Sequence, residues 1–152
     1  MPVLGTLVVM SEPTWSALGI AAVLGALFAL DDTAFAQTWF SQPLPAALLT
    51  GLALGDPAAG LALGVPLQLV LVTNLPVGQS FTGDAATAVV ATVAASVMAE
   101  QSLQPGLVRG IDSLPLLGWL VLGAALLSMA GHYVIAGERR ANTAWMLHGH
   151  RT

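Results

Sequence analysis

Four polar side chains interrupt the apolar middle of this sequence: Gln68, Asn74, Gln79 and Asp84. Gln68 lies in a run that is otherwise Leu, Val and Pro, and its primary amide offers both donors and acceptors, the complement that a neutral polyol or sugar requires. The same amide serves equally as a hydrogen-bonded tie between two helices, so both readings stand. Asn74 and Gln79 bracket Pro76-Val77-Gly78. A loop turning back inside protein aims both amides inward, whereas an ordinary solvated loop does not. Asp84 can accept bidentate hydrogen bonds from sugar hydroxyls, or it can cap the apolar segment that it opens. An aspartate at the centre of a spanning helix costs roughly 2.5–3.5 kcal/mol, which makes such positions candidates for a solute contact. Asp32 and Asp56 read instead as structural caps. Asp32 belongs to the Asp31-Asp32 pair that closes the first apolar segment, and Asp56 stands before Pro57 as an N-cap stands before proline at the first helical position.

Nothing in the sequence composes a catalytic constellation: there is no Ser/His/Asp grouping, glycine-rich phosphate loop or metal-ligand spacing. With no cysteine there is neither a disulfide framework nor thiolate chemistry. Of the three histidines, His148 and His150 lie in a terminal tail and His132 stands alone near the end of an apolar helix, where a packed or interfacial role outweighs that of a phosphoacceptor. The polypeptide is expected to perform no covalent chemistry of its own and to need no cofactor or metal.

The elements that must position these groups follow from composition. Charged residues make up 8% of the chain, hydrophobic ones 56%, and the mean hydropathy is +0.81. An ordinary soluble domain carries about 25% charged residues. So few charges cannot coat a water-facing surface, and lipid or another apolar subunit must be the solvent. The formal net charge of −4 offers no basic footprint for nucleic acid. Residues 1–12 lack a basic n-region and a small-residue cleavage site, and read as a short leader or interfacial segment rather than a signal peptide.

The expected fold is all-α: a single polytopic membrane domain over residues 1–152, with spanning helices and short broken or re-entrant segments. Residues 13–39 form the first helix, with Trp39-Phe40 as an aromatic interface anchor. Residues 43–99 form a core of broken helices. Its first arm, 43–55, is too short to cross about 30 Å of hydrocarbon, and Asp56-Pro57 starts a second arm at Ala58. The two arms echo each other, since Gly51-Leu52-Ala53-Leu54-Gly55-Asp56-Pro57 recurs as Gly60-Leu61-Ala62-Leu63-Gly64-Val65-Pro66. Glycines four apart permit close approach of helix backbones. Pro66 should kink the second arm and free carbonyls near Gln68. Residues 85–99 carry Thr87, Thr92 and Ser96, small groups suited to packing on other helices. Residues 100–113 read as a connecting loop.

Residues 114–136, about 23 positions without a formal charge, are the clearest span. Arg139, Arg140 and Arg151 follow, so three of the four basic residues flank that end and the positive-inside tendency places it in the cytoplasm. The tail 137–152 is expected to be cytoplasmic or to lie along the interface as a short amphipathic helix.

The order of residues in the middle of the chain resembles a family. Asp31, Gln42-Pro43-Leu44, Leu54-Gly55-Asp56, Gly60 and Gly64, Leu67-Gln68-Leu69, Pro76-Val77-Gly78 and Asp84-Ala85-Ala86 are together similar to the IIC membrane subunit of mannose/fructose/sorbose-family sugar phosphotransferase systems. The likeness covers residues 16–99 well, and the last helix with Glu138-Arg139-Arg140 loosely. Each short motif is unspecific, and their order and spacing carry the resemblance. It implies a multi-pass permease of the bacterial inner membrane that works with a IID membrane subunit and with soluble IIA and IIB phosphocarriers. In such systems phosphate passes from phosphoenolpyruvate to a histidine on IIB, and from there to a hexose delivered by the IIC/IID pair. Substrates across the family include mannose, glucose, fructose, sorbose and amino sugars. Its structures imply alternating access, a sugar-binding core moving against a scaffold. Gln68 matches a family position that is commonly Gln or Glu, and Asp84 matches the Asp after the loop.

The sequence departs from the family at Gln42, where a basic residue is frequent, and at Gly83, where proline is frequent. It is also expected to be short at the C-terminus, because family members usually carry further membrane segments. A truncated or minimal subunit acting as a membrane scaffold or assembly partner, or an unrelated small transporter, therefore stands beside the permease reading. The choice of sugar, the number of spans and self-association into a homo-oligomer stay open at this level.

Overall fold

Proline, aspartate and glycine set the helix boundaries of this protein. The computed structural model describes residues 12–33, 39–71, 84–102 and 113–149, and within them it is all-α. Asn74, Gln79 and the rest of the loop 76–83 lie outside the described residues, as does the side chain of Asp32. Helix α1 runs Glu12–Thr33, a single 3₁₀ turn covers Trp39–Ser41, and α2 (Pro43–Ala53), α3 (Pro57–Leu71), α4 (Ala85–Ser102) and α5 (Leu114–Gly149) follow.

The first turn of α2 contains Pro43 and Pro45, and α3 begins at Pro57. Proline fits there because a first-turn amide has no intrahelical acceptor to lose. Between these helices the chain turns in three residues. Gly55 adopts φ +83°, the left-handed region that glycine enters without a Cβ penalty. Its N–H bonds the Leu52 carbonyl at 3.2 Å, and the Asp56 N–H bonds the Gly51 carbonyl at 2.7 Å. This pair of bonds is a Schellman ending. Asp56 then starts α3, with Oδ1 accepting the Ala59 N–H at 3.0 Å. One residue thus closes one helix and caps the next, as the Asp56-Pro57 signal requires.

The resulting hairpin is held by backbone packed on backbone. A Cβ built at Gly51 would stand 2.6 Å from the Asp56 carbonyl oxygen, and one at Gly60 would stand 2.6 Å from the Ala47 carbonyl oxygen. Gly64 faces Ala47 Cβ at 3.0 Å. Three of the four glycines in the repeated motif therefore lie at the seam between α2 and α3, and the fourth makes the turn. The helix continues through Pro66.

Helix α4 lies at the centre and packs against the other four helices. Ala86, Val89, Val90, Val93, Ala94 and Val97 are all buried. Valine is an indifferent helix former, and its presence here reflects tertiary packing of stiff, compact side chains. Thr50, Thr92 and Ser96 are buried too, and each donates its hydroxyl to a carbonyl of its own helix at 2.7–2.8 Å. These polar atoms are thereby satisfied without water.

Many large apolar side chains point outward, although Phe28, Leu63 and Leu67 are buried. Val23 on α1, Leu69 on α3, and Trp119 and Leu126 on α5 are 61%, 73%, 71% and 59% exposed. An exterior of this kind around a core in which Ala, Gly and Val outnumber Leu and Phe is built for an apolar surrounding. Among the described helices, Leu114–His148 alone is long and apolar enough to cross a membrane by itself. The stretches Trp15–Asp31 and Ala85–Gln101 are apolar but shorter, as are α2 and α3.

Two boundaries differ from the sequence expectation. The loop expected from residue 100 begins later, because Glu100 is buried within the last turn of α4 and Gln101 Nε2 donates to the Leu54 carbonyl at 3.4 Å, tying the ends of α2 and α4 together. The tail is not set off from the last helix as a separate element. It continues α5 to residue 149, since Glu138, Arg139, Arg140 and Ala141 are good helix formers and their charges end the apolar run without ending the helix.

The seam generates a stability test. Gly60→Ala should destabilise the protein by about 1–3 kcal/mol through overpacking. Gly118→Ala, where a Cβ meets nothing within 4 Å, should leave stability unchanged or raise it. Thermal unfolding in a lipid nanodisc separates the two, and equal losses would refute the packing argument.

Candidate functional site

The start of α2 sets the geometry around Gln68. A helix leaves its first amides without intrahelical acceptors. Here the Gln42 N–H bonds the Trp39 carbonyl at 3.2 Å, and the Ala46 N–H already bonds the Gln42 carbonyl at 3.0 Å. Pro43 and Pro45 have no N–H to satisfy. One donor remains, the Leu44 N–H, and Gln68 Oε1 accepts it at 2.9 Å from a position 24 residues away in α3. Gln68 Nε2 reaches Gln42 Oε1 at 3.4 Å, a long contact. The amide orientation follows from the donor it meets, because only the oxygen can accept from an N–H.

Gln68 is therefore an interhelical tie. It holds the open end of the α2–α3 hairpin as the Gly55-Asp56 turn holds the closed end. Its second Nε2 hydrogen is not used by either bond. Neither helix reaches across a bilayer: 11 residues give α2 a length of about 16 Å and 15 residues give α3 about 22 Å. Two half-length helices with a half-buried amide between their ends place polar hydrogen-bonding capacity at the partly exposed open end of an otherwise apolar hairpin.

Asp84 is the N-cap of α4, its Oδ1 accepting the Thr87 N–H at 3.0 Å. Its own N–H donates to the Ser128 carbonyl of α5 at 3.2 Å. The start of α4 is thus bonded to the middle of α5, and Asp84 is half-buried there. Among the described residues no hydrogen bond joins Gln68 to Asp84, and each is anchored to a different helix pair. Asp31 marks a third junction, with Oδ2 accepting the Ser41 N–H at 3.3 Å, so the end of α1 holds the turn that leads into α2. The sequence reading placed caps at Asp32 and Asp56. Asp56 acts as one, and Asp31 makes the described bond at the end of α1.

Sequence reasoning missed three participants. Gln101 ties α4 to α2, Gln42 faces Gln68, and Gly131 sits under Asp84, where a Cβ would stand 2.6 Å from Asp84 Cβ. The first two carry a weak signal, a lone amide at a helix end. The third carries none. Among the described residues no three His, Asp or Glu gather as a metal-ligand set.

An all-α bundle with an apolar exterior, two half-length helices, and helix starts whose donors are satisfied by side chains, locally at α3 and α4 and from the next helix at α2, has the build of a membrane permease. The chain belongs to the family described as the sorbose-specific IIC component of the phosphotransferase system, whose model matches residues 14–148. No curated protein and no solved structure matches it. IIC components are membrane permeases that work with other subunits of the phosphotransferase system, and the sequence resemblance to the broader mannose family agrees with this membership.

Removing the Gln68 acceptor isolates its structural part. Gln68→Ala leaves the Leu44 N–H without a protein partner and should cost about 1–3 kcal/mol. Gln68→Glu keeps an acceptor, and a charge that suits a helix N-terminus, so it should retain most of the stability. Amide hydrogen exchange at Leu44, fast in the first variant and protected in the second, is the measurement.

Proposed function

We propose that this chain is the sugar-permease subunit of a phosphoenolpyruvate-dependent phosphotransferase system of the mannose family, binding a hexose and carrying it across the bacterial inner membrane. A soluble IIB partner phosphorylates the sugar: a sugar hydroxyl oxygen attacks the phosphorus, the bond to the IIB histidine nitrogen breaks, and the hydroxyl proton is released. This chain supplies the path and the binding groups, and the phosphoryl group never resides on it.

The observation that carries the proposal is the α2–α3 hairpin, two half-length helices inside the family-matched span with the Gln68 amide at their open end. Gln68 offers a sugar hydroxyl its unused Nε2 hydrogen. Asp84 offers Oδ2, while Oδ1 serves the helix. Asn74 and Gln79, which fall between α3 and α4 in sequence, contribute further amides. The whole chain acts as one multi-pass membrane domain, with the basic end of α5 in the cytoplasm beside Arg139 and Arg140. A IID membrane subunit covers apolar faces that this bundle leaves open on α1 and α5, and IIA and IIB complete the phosphoryl relay. The same open faces favour a second reading, a scaffold subunit that assembles with IID and has no translocation path of its own.

Asp84→Asn separates the two roles of the carboxylate, because asparagine caps a helix as well as aspartate does but cannot accept through two oxygens. In cells that express the complete system, Gln68→Ala and Asp84→Asn should each lower uptake of the transported hexose about tenfold or more, the loss of one or two good hydrogen bonds. Unchanged uptake and phosphorylation in the double variant would sink the permease reading. Co-purification with IID without any sugar-dependent stabilisation would favour the scaffold.

A further inference from the structure

We infer that Gly131 of α5 is a positioning residue that sets where the Asp84 carboxylate stands, an inference that rests on the role proposed for Asp84 in sugar binding. Three observations converge on it. A Cβ at Gly131 would lie 2.6 Å from Asp84 Cβ and 3.6 Å from Asp84 Oδ2. The first distance is far inside van der Waals contact, so the absence of a side chain at 131 is what lets Asp84 seat on α5. Asp84 cannot swing aside on its own, because its N–H is fixed to the Ser128 carbonyl and its Oδ1 to the Thr87 N–H. The contact point is Cβ, which has no rotamer freedom relative to the backbone. Any side chain at 131 must therefore push the whole start of α4 off α5.

Three other glycines of the same helix make the point by contrast. Cβ atoms at Gly118, Gly123 and Gly137 would meet nothing within 4 Å. Flexibility or composition of α5 does not single out 131. The neighbour that it touches does. Displacing α4 by the few tenths of an ångström to one ångström that a methyl demands carries Oδ2 with it, and displacements of that size degrade a binding geometry.

The test is a double-mutant cycle on transport in cells that express the complete system, using whichever of labelled sorbose, mannose, glucose or fructose the parent takes up fastest. Gly131→Ala should raise the apparent KM roughly tenfold with maximal uptake within about twofold of the parent, and Gly123→Ala should change neither. Gly131→Ala combined with Asp84→Asn should be no worse than Asp84→Asn alone, because a residue acting through the carboxylate has nothing left to act on. Additive losses, or a fall in maximal uptake and protein level with KM unchanged, would reduce Gly131 to ordinary packing and overturn the inference. If Asp84→Asn transports normally, the sugar role of Asp84 fails and this inference fails with it. If Asp84→Asn is impaired and Gly131→Ala is not, the inference fails by itself. Should Gly131→Ala not assemble, hydrogen exchange on the unaltered membrane complex decides. Saturating sugar should slow exchange in α5 around residues 128–134 together with the start of α4, and protection of α4 alone would overturn it.

Discussion

Backbone amides at the starts of helices cannot be left bare where water is scarce, and that constraint organises this protein. Each break in the apolar core creates a new helix start with donors that need acceptors. At α3 the acceptor is Asp56 and at α4 it is Asp84, both adjacent in sequence to the helix that they cap. At α2 the solution is different. Two prolines remove two donors, and the one that is left reaches across to Gln68 on the next helix. The local caps fix only where helices begin, whereas the remote one also fixes how α2 and α3 sit against each other. A group that holds architecture in this way is also one of the few polar atoms available to a solute, so binding and fold draw on the same amide.

Close packing lets these bonds form. The α2–α3 seam brings Gly51 and Gly60 to backbone contact, and the register so created puts Leu44 opposite Gln68. In lipid, association gains nothing from expelling water from between apolar surfaces, and close contact of small residues takes over. The distribution of side chains obeys this rule. Valine and alanine fill the centre around α4, while leucine and tryptophan face outward on α1 and α5.

The sequence was informative wherever the determinant was local. Leu54-Gly55-Asp56-Pro57 spells out a helix end, a left-handed glycine, a cap and a proline start, and the hairpin turns there. The paired glycines of the two arms announced close approach. The dual reading of Gln68 was also legible, since an amide in an apolar run is either a tie or a ligand, and the tie is visible in its bond to Leu44. Its partner was not legible, because that depends on helix register, which no neighbouring residue encodes. Gln101 and Gly131 escaped for the same reason: each matters through an atom that is 47 residues away in both cases, the Leu54 carbonyl and Asp84. The length of α5 was misjudged because charge marks the limit of an apolar layer, whereas helix propagation follows backbone bonding and propensity.

Helix α5 does not stop where the bundle stops. Asp84 meets it at residues 128–131, and 132–149 run on as one unbroken helix whose residues beyond His132 are mostly exposed. Those 18 positions make an arm of about 27 Å, so a tilt of roughly 10° about the Asp84 contact sweeps its tip through about 5 Å. A partner gripping the exposed Trp145 or Met146 near that tip therefore holds a long lever on the stretch of α5 against which α4 starts.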